Sequence, residues 1–190
     1  MTKKNDTVDV LMEDWRRERP DIDASPLAIF GRVSRLSAHL TRRAEKWLAP
    51  LSLTWESFSL IVTLRRAGAP YELRPGELLL VSLLTSGAIT NRIDRVEQQG
   101  LVVRLRDPND RRGVIVQLTN AGQKLADQAI AVHLEHMDAL LAPLEKSERK
   151  VAGQILAKLL LSLETEPEED VEIVPVVAAK KRSRKSSAVT

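Results

Sequence analysis

Two short stretches hold the side chains with the most chemistry to offer: "SGAITNRIDRVEQQ", residues 86–99, and "DPNDRRG", residues 107–113. Placed on a helix at about 100° per residue, the first gathers Ile89, Ile93 and Val96 within about 60° as a buried side. Gly87, Asn91, Asp94 and Gln98 point the opposite way, flanked by Thr90 and Arg95. The face is small at its N-terminal end, at Ser86 and Gly87, where close approach is allowed. Asn91 and Arg95 offer the paired hydrogen bonds that read base edges in a major groove. Taken alone, such a face also fits a merely solvated helix surface. In the second stretch Arg111 and Arg112 stand at the end of a tip of turn formers, a shape able to enter a minor groove. Asp110 is placed to hold one guanidinium by paired hydrogen bonds. Arginines on a hairpin are often simply hydrated, but a polar-faced helix followed at once by an arginine-tipped hairpin is less often accidental.

The flanking sequence supplies elements to position both. "VDVLMEDWRRER" fits one short helix with Val10, Leu11 and Trp15. Leu27, Phe30, Val33, Leu36, Leu40, Ala44 and Trp47 recur at three and four, predicting a helix over 27–48. Thr54 is a good N-cap, and Leu53 with Phe58 forms a hydrophobic staple, so a second helix runs to about Arg66. Pro75 restarts helix to about Leu83, although Arg74 is a poor residue for its N-cap. The next helix covers Ser86 to Gln99 and closes at Gly100, a left-handed cap. "LVVRLR" and "VIVQL" read as two strands of a hairpin. Thr119 caps a helix to about Leu141, Pro143 breaks it, and Ser147 opens a last helix with Val151, Ile155, Leu159 and Leu163 on one stripe. The reading is mainly α with a small β-hairpin wing: a winged helix-turn-helix with terminal helices. It divides into an N-terminal extension (1–26), a winged-helix and dimerisation domain (27–163) and a disordered tail (164–190).

Composition narrows the function. The chain has 190 residues and no cysteine, so thiolate nucleophiles, disulfides and cysteine-held zinc are excluded. Net charge is +3, but unevenly spread: six acids lie between Glu164 and Glu172, and "KKRSRK" (180–185) carries five bases. Such clusters suit polyanion contact at chosen places, and the basic tail serves either as a DNA-tethering arm or as a solubilising end. The apolar run Leu78–Leu84 is far short of the ~20 residues of a membrane span. A polar N-terminus without an export signal points to the cytoplasm. No nucleophile elbow, phosphate loop or paired-carboxylate pattern is present, so an enzyme is not expected, nor a cofactor. His133 and His136, three apart, have a metal-compatible spacing but no third ligand nearby, and His39 stands alone.

The run "GELLLVSLLTSGAITNRIDRVEQQGLVVRLRDPNDRRGVIVQLTNAGQKL", residues 76–125, resembles the MarR family of bacterial transcription regulators. The specific part is Asp110-Arg111-Arg112 followed by Leu118-Thr119 and Gly122, and the likeness extends over about 27–163. The resemblance implies a homodimer on a pseudo-palindromic duplex operator, most often as a repressor. Ser86, Gly87, Thr90, Asn91 and Arg95 would contact bases or phosphates, and Asp110, Arg111 and Arg112 would form the wing contact. It is most similar to a branch with an added tryptophan-bearing N-terminal helix that responds to urate or related purines. Trp15, Arg92 and Arg104 match that branch's ligand set, while Ser59 stands where the branch has an aspartate. An aromatic or anionic effector is one reading of these residues. The other is that Arg92 pairs with Asp94, Glu56 or Glu97 and Trp15 merely packs. A rival for the whole chain is a winged-helix module that docks on protein without specific DNA binding.

Overall fold

The computed structural model describes residues 5–82, 86–108, 110 and 112–165, the side chains of 80–82, 86 and 87 excepted. The chain divides into two compact units, residues 1–140 and 141–190. In the first, α1 spans Thr7–Glu18, α2 Leu27–Leu48, α3 Trp55–Arg66, β1 Glu72–Leu73, α4 Pro75–Ser82, α5 Ser86–Gln98, β2 Val102–Arg106, β3 Val114–Leu118 and α6 Asn120–Leu140. In the second, α7 spans Lys146–Thr165.

Local chemistry sets most of these boundaries. Asp6 caps α1 by accepting from Val8 and Asp9, and Asp9 returns the bond to the Asp6 backbone. A 3-10 turn at Ala49–Leu51 ends α2, with Ser52 in the left-handed region. Thr54 caps α3 through the Ser57 N–H, and the staple residues Leu53 and Phe58 are both buried. Gly100, at φ +70°, turns the chain out of α5. Thr119 accepts from Gly122 to open α6. Glu148 bonds the Glu145 N–H ahead of α7, one residue earlier than Ser147 alone suggests.

The strands form a three-stranded antiparallel sheet in the order β1-β3-β2, with Leu73 opposite Val116 and Arg104 opposite Val116 on its other side. The expected hairpin is therefore present, but β1 joins it; two residues are too few to leave a periodic signature. The core of this unit gathers Leu48, Ile61 and Leu64 with Leu78, Ile89, Ile93 and Val96, closed over by Val102, Val116 and Ala126. Each large aliphatic side chain so buried contributes about 1.5–3 kcal/mol. Leu78, Ile89, Ile93, Val96, Val102 and Val116 belong to α4, α5 and the strands, so the same core that stabilises the unit sets where α5 and the wing stand.

Among the described residues no single helix is long and apolar enough to cross a membrane. The expectation of a disordered tail falls on 166–190, outside the described residues.

Candidate nucleic-acid interface

α5 buries the stripe its sequence demands. Ile89 and Ile93 are 2% exposed and Val96 is fully buried, whereas Thr90, Asn91, Arg95 and Gln98 are exposed. The side chains of Ser86 and Gly87 lie outside the described residues, as does the turn at 83–85 that joins α4 to α5.

Asp94 corrects the outward face. It turns toward the wing, and with Glu97 it receives the guanidinium of Arg104 on β2. Glu97 also accepts the Arg104 backbone N–H at 3.0 Å. Burial works against the Arg104 charge, but the two carboxylates outweigh it and raise the pKa above the ordinary arginine value. This pairing also decides which acids are left for Arg92. Asp94 and Glu97 are committed to Arg104, so of the three acids suggested by sequence only Glu56 remains as an electrostatic partner of Arg92. Half-buried Arg92 has its pKa lowered by desolvation, with Glu56 opposing and Arg95 adding to the effect.

The wing loop is closed on itself. The Asp107 N–H donates to the Gly113 carbonyl at 3.0 Å, and the Gly113 N–H donates to the Asp110 carbonyl at 2.9 Å. Asp110 Oδ1 accepts the Arg112 backbone N–H at 2.9 Å, while the expected grip on one guanidinium involves Arg111 and so falls in part outside the described residues. Asp110 and Arg112 are exposed, and Arg111 lies outside the described residues.

The four residues suggested for an effector are divided between elements. Trp15 is 43% exposed on α1, which packs on α2. Ser59 sits on α3 one turn after Glu56, and α3 packs against α5 where Arg92 stands. Arg104, held by two carboxylates, is already neutralised and is not a free cation for a ligand.

Sequence spacing gave no sign of two of the interactions around the site. The Nε of Arg74 reaches Oδ2 of Asp107, whose side chain is fully buried, at 2.5 Å. Arg74 raised a signal as an unsuitable N-cap; its own N–H is bonded by Glu77 at 2.6 Å, and its guanidinium, besides meeting Asp107, lies 3.8 Å from the Glu77 carboxylate. His133 is the second case. Its Nδ1 accepts the Trp47 indole N–H at 3.0 Å, and its ring packs against Trp47, Trp55 and Phe58. Among the described residues no cluster of three or more His, Asp or Glu is placed to hold a metal ion.

Known proteins share this arrangement. The MarR family profile matches residues 53–114, which contain α3 to the start of β3. The HTH-type transcriptional regulator PecS of Dickeya dadantii is 32% identical over 149 residues, covering 78% of this chain and 90% of that protein. Escherichia coli multiple antibiotic resistance protein MarR is 37% identical over 87 residues, 46% of this chain and 58% of its own length. A crystal structure of a cysteine-to-serine mutant of E. coli MarR complexed with operator DNA superposes with a TM-score of 0.64 at 28% identity, covering 77% of this chain and 97% of that one. With the profile matched from α3 into the wing and the likeness to PecS running over most of both chains, the chain belongs to the MarR family of transcriptional regulators.

Proposed function

We propose that this protein is a homodimeric repressor that binds a pseudo-palindromic DNA operator through α5 and the wing, from the cytoplasm. The observation that carries this reading is the division of α5: an apolar stripe locked into the core, and an exposed face bearing Thr90, Asn91 and Arg95. The operator complex of the E. coli relative supports it. Thr90, Asn91 and Arg95, with Ser86 and Gly87 ahead of them, face the major groove; Arg112, whose backbone is bonded by Asp110, enters the flanking minor groove together with Arg111. Residues 27–163 form the DNA-binding and dimerisation domain. Asn91→Ala and Arg111→Ala are each expected to weaken binding to a selected duplex by about 1–3 kcal/mol while the dimer stays intact. Specific binding that survives both substitutions favours the protein-docking alternative.

An anionic aromatic effector is the finer part of the proposal, and Arg92 is its best-supported residue. It is a half-buried cation with one acid, Glu56, acting on it, and an incoming anion offsets its desolvation. Trp15 and Ser59 complete the proposed set, and Arg104 joins it only if the ligand draws it from Asp94 and Glu97. Calorimetric titration with urate, xanthine and salicylate tests this, and heat from none of the three removes the effector from the account.

A further inference from the structure

Arg74 occupies the position where a helix ordinarily places Ser, Thr, Asp or Asn. Glu77 makes only the return half of a capping box, accepting the Arg74 N–H, and the Arg74 guanidinium spans 33 residues of sequence to Asp107. We propose that Arg74 is a positioning residue for DNA binding, a strut that holds the wing in register with α4 and α5 through Asp107. This rests on the DNA-binding reading above.

The chain of contacts is continuous. Arg74 immediately precedes α4, and α4 packs against α5. Asp107 follows the last residue of β2 and is the first residue of the wing loop. Its carboxylate is fully buried beneath a half-exposed Arg74, and a buried charge is costly unless it is held. From Asp107 the contacts run outward. A Cβ added to Gly113 would stand 2.9 Å from the Cβ of Asp107 and 3.0 Å from that of Asp110. Asp110 in turn fixes the backbone of Arg112. A shift of Asp107 is therefore felt by Gly113 and Asp110, and through Asp110 by the backbone of Arg112. The competing role for Arg74 is a direct phosphate contact, which would not involve Asp107.

The test uses a duplex selected from a random pool by the wild-type protein, with Arg74→Gln, Asp107→Asn and the double variant. The strut predicts about tenfold weaker binding for each single variant. The double variant should bind within about twofold of either, because both break one contact. Hydroxyl-radical protection of the flanking minor groove should fade while protection of guanine N7 in the major groove persists. The urea midpoint should fall for Arg74→Gln, which strands the buried Asp107 carboxylate, and return toward wild type in the double variant, where that charge is gone. Unimpaired binding by Asp107→Asn beside a weak Arg74→Gln identifies a direct phosphate contact and overturns the strut. Losses that multiply in the double variant overturn it as well. Joint loss of both protections, with a urea midpoint still lowered in the double variant, reduces the pair to fold stability alone and overturns the strut too. Failure of the wild type to enrich any duplex sinks the DNA-binding reading first, and the strut with it.

Discussion

Gly122 shows how narrowly single residues are constrained. A Cβ there would lie 2.0 Å from the carbonyl oxygen of Leu101, a backbone atom that cannot move aside. Gly122→Ala is expected to cost about 2–4 kcal/mol, read from urea unfolding, and a cost below about 1 kcal/mol would contradict the packing described. His133 makes a pH-dependent prediction. Burial, and then its neighbour His136, lower its pKa below the ordinary histidine value of 6.5. The indole N–H of Trp47 only donates, so Nδ1 must keep its lone pair. The folded state therefore takes up this proton less readily than the unfolded chain. Its contribution is complete above about pH 6.5 and is lost as pH falls through the lowered folded value. The melting temperature should drop over that window in the wild type and flatten in His133→Gln; parallel profiles would refute it. Such residues were only partly legible. Gly122 belongs to a family-like motif, but the Trp47–His133 bond joins residues 86 apart and leaves no local pattern.

Elements governed by local rules were plain in the sequence. The Thr54 cap, the Leu53–Phe58 staple, the α5 stripe and Gly100 all act within a few residues of one another. What escaped depends on contacts between elements: β1, the turn of Asp94 and Glu97 toward Arg104, and the Arg74–Asp107 pair. The docking of α1 is a further case. Val8, 1% exposed, sits against Gly31, where a Cβ would approach its Cγ1 at 3.1 Å. Arg32 of α2 bonds both carboxylates of the α1 capping box, Asp6 at 2.8 Å and Asp9 at 2.7 Å. These surface pairs orient the helix, and Val8 supplies most of the burial. Val8→Ala should weaken α1 docking by about 1–2 kcal/mol. Hydrogen exchange is then expected to quicken over residues 7–18 alone; unchanged exchange there would show that α1 is held some other way.

At the scale of the whole molecule, one chain leaves much apolar surface uncovered. Phe30 is 53% and Leu36 60% exposed on α2, and Leu160 and Leu163 are more than half exposed on α7. Each of these apolar stripes marks an association surface on its own unit, and a second copy of the chain is the partner the family suggests. The double variant Phe30→Asp, Leu36→Asp should sediment as a single chain where the wild type sediments as two. The measurement bearing most directly on the account is enrichment of duplexes from a random pool by wild-type protein. A dimer carrying two copies of α5 and the wing should select a two-fold-related motif with half-sites about one helical turn, roughly 10–10.5 base pairs, apart. Recovery of a pool indistinguishable from the input would contradict it.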